Sequence, residues 1–247
     1  MPRFLIEPDQ IKGGRVTLKA DAFRHATRVL RLTVGDRIIV FHDSGEYEAI
    51  IDHVDARSLS ARVLAERPPL PAPPVALTLV QSVIKADGMD WIVEKCSELG
   101  AEALIPVISR RSVVNLDGTR AANRRERWGR IAATAAQQCG RHQPMAILPV
   151  VSLEEAISEI GADLLLVPHE AELECSIARV LRKHGEVSSV AVAIGPEGGF
   201  APEEIDLLKS AGGVLVSLGP RTLRSETAAI AAATIVLYQL GGLEPAR

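Results

Sequence analysis

The chain has little of what marks several functional classes. Its three cysteines, Cys96, Cys139 and Cys175, are odd in number and far apart with no C-x-x-C pair, which speaks against a disulfide framework or a thiolate zinc site and for buried thiols. No apolar run approaches the ~20 residues of a membrane span, and the start Met1-Pro2-Arg3-Phe4 lacks the basic-then-apolar pattern of a signal peptide, so a cytoplasmic protein is expected. There is no G-x-G-x-x-G fingerprint and no P-loop, which removes the common phosphate-cradling motifs. Six histidines are scattered, with no spacing that reads as a metal site, and no metal is expected. Aromatic residues are only 3% of the chain.

What is present is enough for a substantial core, since 247 residues at 47% hydrophobic content accommodate one large core and a small one. A break falls at residues 67–74, where five prolines stand in seven positions and neither a helix nor a central strand can continue. Before it, residues 15–18, 37–41, 48–54 and 59–64 read as short strands separated by turn signals at Gly13-Gly14, Gly35-Asp36, Ser44-Gly45 and Asp55, and residues 22–30 read as one helix. A small β barrel over residues 1–70 is expected.

After the break the pattern changes to strand-like runs with little alternation at 75–83, 103–108, 146–150, 163–167, 190–194 and 214–218, as in parallel strands covered on both faces. Helices fill the gaps. Residues 89–99 place apolar side chains at 89, 92, 93, 96 and 99 and stop at Gly100. Ser152 and Glu155 have capping-box spacing, and Pro202-Glu203-Glu204 suits a first helical turn. The class is α/β, a parallel sheet with helices on both faces over residues 71–247. Trp91 and Trp128 sit at helical positions and are expected in the core.

Charge is segregated, which matters more than the net −3. Between positions 110 and 141 there are eight arginines against Asp117 and Glu126; residues 1–37 hold eight basic and four acidic side chains, and residues 150–210 four basic and twelve acidic. All but two of the basic residues in the first two stretches are arginine, whose guanidinium fork suits phosphate oxygens. A polyanionic partner is expected, with Arg3, Arg24, Arg28, Arg31, Lys85, Arg110 and Arg111 as candidate phosphate contacts.

In open α/β sheets ligands bind beyond the carboxyl ends of the strands. Two exits there share one feature. The run 190–194 continues into Gly195-Pro196-Glu197-Gly198-Gly199-Phe200, and the run 214–218 into Gly219-Pro220-Arg221-Thr222-Leu223-Arg224-Ser225-Glu226. Glycine allows close approach of a ligand to the backbone, and proline stiffens the turn, so bare carbonyls and N–H groups can face a purine edge. Ser225 is a candidate cap for the alanine-rich helix expected from 227 to 240.

These two loops resemble the signature loops of the RsmE family, SPOUT-class methyltransferases acting on N3 of a uridine in small-subunit (16S) ribosomal RNA. Further similarity lies at residues 25–36, 85–91, 94–100 and 138–141, so it spans nearly the whole chain. The resemblance implies a PUA-like RNA-binding β barrel, a C-terminal domain with a trefoil knot, a homodimer, and S-adenosylmethionine as cofactor. By position it carries cofactor binding to Val167, Pro168, His169, Gly195, Pro196, Glu197, Gly198, Leu218, Gly219, Leu223, Arg224, Thr227 and Ala228. Residues 134–137 lack the glutamate the family often has before its Gln-Cys-Gly-Arg run, so no acid–base role is carried to that helix end.

The chemistry follows from the base. A uridine N3–H is a poor nucleophile until deprotonated, and arginine donors near O2 or O4 stabilise the anion. Arg224 or Arg221 is the first candidate, Arg141 the next, and Glu226 is either a base, a group orienting an arginine, or a favourable charge at a helix start. With so few aromatic side chains, arginine planes must substitute as stacking platforms. Two alternatives remain open: a ribose 2′-O-methyltransferase of the same superfamily, and a non-catalytic RNA-binding protein.

Overall fold

The computed structural model describes residues 1–42, 45–68, 72–114, 116, 118–185 and 187–245. The turn residue Ser44, residues 69–71 of the proline stretch and Asp117 of the basic stretch lie outside them. The chain divides into two compact units, Met1–Pro71 with Ala136–Gln143, and Ala72–Ala135 with Pro144–Arg247.

The first unit is a curled six-stranded sheet. In chain order it contains β1 (Arg3–Leu5), β2 (Ile11–Lys12), β3 (Arg15–Lys19), helix α1 (Ala20–Arg24), a π-helical turn His25–Val29, β4 (Arg37–His42), β5 (Gly45–Val54) and β6 (Ser58–Arg67). The sheet order is β1-β4-β5-β6-β3-β2. Only the β1–β4 pair is parallel. Alternation dictates the inner face: Val16 and Leu18 of β3 point in while Arg15 and Lys19 point out, and they meet Phe4, Ile38, Val40, Ala49, Ile51, Leu59 and Ala61 in one core. Register shifts between Glu48 and Ala49 and between Ile51 and His53 add local twist that curls the long β5–β6 ribbon. The expected helix over 22–30 is therefore a short α-helix that widens into a π-turn.

A buried ion cluster ties the 136–143 segment into this unit. Arg3 Nη2 donates to Glu46 Oε2 at 2.7 Å and to the Gly140 carbonyl at 3.0 Å, while its guanidinium carbon lies 4.9 Å from the Phe41 ring centre. His142 Nε2 is 3.1 Å from the same Glu46 oxygen. Arg3, expected at a phosphate, is thus engaged inside its own unit.

The second unit holds β7 (Ala76–Ser82), α2 (Ala86–Leu99), β8 (Ala103–Ile108), α3 (Gly118–Cys139, whose last residues count with the first unit), β9 (Ala146–Ile147), β10 (Val151–Ser152), α4 (Leu153–Glu159), β11 (Leu164–Pro168), α5 (Ile177–His184), β12 (Ser189–Ile194), α6 (Pro202–Ser210), β13 (Val214–Val216) and α7 (Ser225–Gln239). Strands run β10-β8-β7-β12-β11-β13 with β9 beside β8, all parallel. Both faces are covered, as expected. Leu77, Leu79, Leu104, Leu166, Val190 and Val192 pack with α2, α5 and α7 in one core. Their neighbours Val80, Ile105, Leu165, Val167, Ala191 and Ala193 pack with α4 and α6 in the other. The Ser152 capping box forms, with the Glu155 N–H donating to Ser152 Oγ at 3.1 Å. Among the described residues no helix is long and apolar enough to cross a membrane.

Two tryptophans behave differently. Trp128 is buried, as expected, but Trp91 is 52% exposed. On α2 the buried face is Met89, Ile92, Val93 and Cys96, and a residue one step of 100° from that stripe faces outward; Lys95 Nζ sits 5.1 Å from the Trp91 ring centre. The cysteines also divide. Cys96 is buried and its thiol is pushed up to about 12 by burial, whereas Cys139 and Cys175 are half-buried. Since the thiolate is the reactive form, a thiol reagent at pH 8 should label Cys139 and Cys175 in the folded protein and reach Cys96 only after denaturant is added. Counting modified thiols by mass before and after denaturation checks this; rapid native labelling of Cys96 would contradict it.

Candidate functional site

The order β8-β7-β12-β11 puts β12, late in the chain, between β7 and β11. Loops from distant parts of the sequence consequently meet beyond the carboxyl ends of the central strands. There they enclose a cleft of ≈ 660 Å³ lined by Ile84, Lys85 and Gly88 after β7, by Pro168, His169 and Glu170 after β11, by residues 194–200 at the end of β12, and by residues 222–226 and Ala228 at the start of α7. A smaller hollow of ≈ 80 Å³ shares Pro168, His169 and Leu223 and adds Leu218, Gly219 and Arg221. The two Gly-Pro exits converge on one site.

A buried polar chain joins them. Ser225 Oγ donates to the Gly195 carbonyl at 2.6 Å and accepts from Gln81 Nε2 at 3.0 Å, and Gln81 donates also to the Ser82 carbonyl at 2.8 Å. Ser225 was expected to cap α7. Arg224 occupies the cap position instead, because α7 already begins at Ser225, and the Ser225 hydroxyl bonds to the facing loop. Gln81 is fully buried, and nothing in its own strand pattern distinguished it.

The loop after β12 is held from outside as well. The Gly199 N–H donates to the Pro196 carbonyl at 2.9 Å, and Gly199 has φ +67°, a left-handed value that favours glycine. Arg111 Nη1 donates to the Gly198 carbonyl at 2.9 Å. Arg111 is placed there by Glu204, a buried carboxylate that accepts from the Arg110 N–H at 2.8 Å and the Ala201 N–H at 2.7 Å. Arg110 itself lies 3.5 Å from Glu203. Arg110 and Arg111, expected at phosphates, therefore border this loop. In the loop after β11, N–H groups of Cys175 and Glu174 hold the Glu172 carboxyl below its usual range.

Most of the cofactor residues expected by position line the two hollows. Pro168, His169, Gly195, Pro196, Glu197, Gly198, Leu223, Arg224 and Ala228 line the cleft, and Leu218 and Gly219 the smaller hollow. Val167 is wholly buried in the sheet core, and Thr227 is exposed on α7 and lines neither. Of the residues expected to act on the base, Arg224 lines the cleft with its side chain 86% exposed, Glu226 Oε1 is 4.0 Å away, and Arg221 borders the smaller hollow. Arg141 belongs to the first unit, as do Arg24, which pairs with Asp21, and the exposed Arg28 and Arg31. Lys85 lines the cleft. Glu170, Phe200 and Thr222 also line it; they escaped sequence analysis, although Phe200 and Thr222 stand within the quoted loops.

The site suits a nucleoside with a charged tail. Its volume is within the ~300–1,000 Å³ of ligand clefts. A Cβ on Gly195 would lie 3.0 Å from Phe200 N, so the backbone there is bare by necessity. Gln81 Oε1 is buried with no partner. Glu170, Glu197 and Glu226 line the same space as Lys85 and Arg224, matching a ligand that bears charges of either sign.

Comparison with known proteins accords with this geometry. Residues 71–237 match a family described as an RNA methyltransferase domain, and residues 18–64 one described as an RNA methyltransferase PUA domain. The chain is 31% identical to the ribosomal RNA small subunit methyltransferase E of Bacillus subtilis over 97% of each chain. It is 30% identical to the enzyme of that name from Aquifex aeolicus, covering 93% of this chain and 96% of the other. Among solved structures it is similar to a ribosomal RNA small subunit methyltransferase E from Neisseria gonorrhoeae bound to S-adenosyl methionine, with TM-score 0.86, 31% identity, and coverage of 96% and 97% of the two chains.

Proposed function

Because this chain belongs to the ribosomal RNA small subunit methyltransferase E family, we propose that its C-terminal cleft binds S-adenosylmethionine and that the enzyme methylates N3 of a uridine in small-subunit ribosomal RNA. The observation that carries the proposal is that the first Gly-Pro exit and the residues following the second line one cleft, joined by the Ser225–Gly195 hydrogen bond of 2.6 Å. Bound S-adenosylmethionine supplies a methyl group on a positively charged sulfur.

The protein's part is to hold and to polarise. Gly195, Gly198 and Gly199 leave main-chain groups open to an adenine edge, and Pro196 stiffens their turn. Arg224, exposed at the cleft, donates to O2 or O4 of the uridine and lowers the energy of the N3 anion. Arg221 stands by at the smaller hollow. Glu226, beside Arg224, orients that guanidinium or receives the N3 proton. The target uridine must be unpaired or flipped, since N3 is occupied in a base pair. Arg24, Arg28, Arg31 and Lys85 contact phosphates in this scheme. We extend the proposal to a C-terminal trefoil knot and to a homodimer, the latter supported by the exposed Tyr238 on an α7 that is apolar on most sides.

Titration of purified protein with S-adenosylmethionine, followed by methylation of small-subunit RNA from cells lacking the protein, tests the function. Saturable cofactor binding and a new reverse-transcription stop are expected, because an N3 methyl blocks Watson–Crick pairing. Methyl incorporation without a stop points to a ribose 2′-oxygen instead, and RNA binding without incorporation rejects the enzyme. Arg224→Ala should reduce kcat, measured at saturating cofactor, by roughly 10²–10³-fold, the loss typical of removing one donor from a developing anion. Unchanged turnover would remove Arg224 from the mechanism.

A further inference from the structure

The first unit holds a segment of uncommon backbone geometry. From His25 to Val29 the backbone is π-helical, with the Leu30 N–H donating to the His25 carbonyl at 3.0 Å and the Leu32 N–H to the Ala26 carbonyl at 2.9 Å. One side of this wide turn is anchored. Ala26 is fully buried, Thr27 Oγ1 donates to the Phe23 carbonyl at 2.8 Å, and the His25 ring stands edge-on to Phe4 at 6.1 Å. Arg31 then takes φ +57°, a conformation unfavourable for a residue with a Cβ. Thr33 donates through its N–H and hydroxyl to Asp36 Oδ2 at 2.8 and 3.2 Å, closing the exit.

The result is an outward-facing run, Arg28-Val29-Leu30-Arg31, with Val34 just beyond. Val29 is 66% exposed, Leu30 39% and Val34 61%. Three of the eleven large apolar side chains left exposed among the described residues thus fall within six positions. Scattered exposed apolar residues are ordinary; clustered ones mark contacts. Residues 24–35 also contain three arginines and no acid. Widened helical turns and non-glycine residues with positive φ are concentrated at functional sites, where surrounding contacts hold them in place.

A short run of exposed side chains with two apolar residues between two arginines fits a ligand with apolar faces on an anionic backbone. Unpaired RNA is such a ligand. A perfect duplex hides its base faces and offers Val29 and Leu30 nothing to cover. None of Phe4, Phe23, Phe41 and Tyr47 in this sheet unit is exposed, so the aliphatic side chains, with the exposed His25 ring of the same turn, take the place of those rings. We propose that Arg28 to Arg31 form a wedge in which Val29 and Leu30 pack against unpaired bases of the substrate while the two arginines hold the flanking phosphates. The wedge rests on the RNA-methyltransferase function proposed above.

Contrasting salt dependences test it, because apolar and ionic contacts respond differently. The full-length V29S/L30S double variant, altered only at exposed positions, should keep the wild-type thermal midpoint and S-adenosylmethionine affinity. It should bind an unstructured RNA oligonucleotide about tenfold more weakly, a change of ~1.4 kcal/mol, with an unchanged slope of log affinity against log salt. Affinity for a perfect duplex should not change. Arg28→Gln should reduce the magnitude of the single-strand slope by about 0.7, one phosphate's worth of counterion release. The wedge is overturned if the double variant binds single-stranded RNA like wild type, or if it loses single strand and duplex equally. It is also overturned if sedimentation shows only a changed association between copies of the chain. Wild-type protein that binds neither cofactor nor RNA overturns the underlying function instead.

Discussion

Gly195→Ala is expected to weaken S-adenosylmethionine binding by roughly 10- to 100-fold, the equivalent of about 1–3 kcal/mol of overpacking strain, in a protein that stays folded. The added Cβ would meet Phe200 N at 3.0 Å and the carbonyl carbon and Cα of Gly199 at 3.2 Å. All three are main-chain atoms, and no rotamer change moves them aside. The loop is pinned at both ends, by the Ser225 hydroxyl on the Gly195 carbonyl and by the burial of Phe200 in the sheet core. Relief must therefore come from opening the turn between them, which is the part that lines the cleft. Calorimetric titration reads the affinity. Gly161→Ala is a suitable control, because a Cβ there meets nothing within 4 Å and cofactor affinity should not change. A Gly195→Ala protein binding the cofactor like wild type would show that the turn at 195–199 is not the cradle.

Glu46→Ala should destabilise the first unit by about 3–5 kcal/mol, the usual cost of leaving a buried charge without its partner. The carboxylate accepts from Arg3 at 2.7 Å and faces His142 at 3.1 Å, with all three side chains at most 15% exposed. Arg67, 3.7 Å from the other oxygen, is 42% exposed and contributes little by comparison. Arg3 already has one buried nitrogen without a partner. Deleting the acid removes the anion facing its guanidinium and leaves Arg3 with the neutral Gly140 carbonyl as an acceptor. Urea unfolding followed by hydrogen exchange, with residues 136–143 losing protection first, checks the effect. Adding Arg3→Met to Glu46→Leu should recover much of the loss, because the cation and the anion disappear together. A Glu46→Ala protein as stable as wild type would mean that water, rather than Arg3 and His142, compensates this carboxylate.

Parts of the molecule were plain in local pattern and parts were not. The runs at 103–108 and 190–194 became β8 and β12 almost residue for residue, since strands buried on both faces carry unbroken apolar sequence. By contrast β1, β2 and β10, of two or three residues each, are too short to show a period and exist because a neighbouring strand offers hydrogen bonds. Trp91 was misplaced by residue type, although the same periodicity that found α2 places position 91 off its buried stripe. The π-turn after α1 carries no sequence mark distinguishing it from an ordinary helix end.

What the sequence determined by itself was the alternation of strands and helices, the change of pattern at the proline stretch, and the two glycine–proline exits, because each is written in side chains a few positions apart; that residues 136–143 join the first unit was not written there. The tertiary structure alone decided that Gln81, Gly195 and Ser225 share one chain of hydrogen bonds, that Arg111 supports Gly198, and that His142 joins Arg3 and Glu46. Those partners stand up to 144 positions apart. They meet only because strand order and sheet curl bring them together, and neither is encoded in any short window of residues.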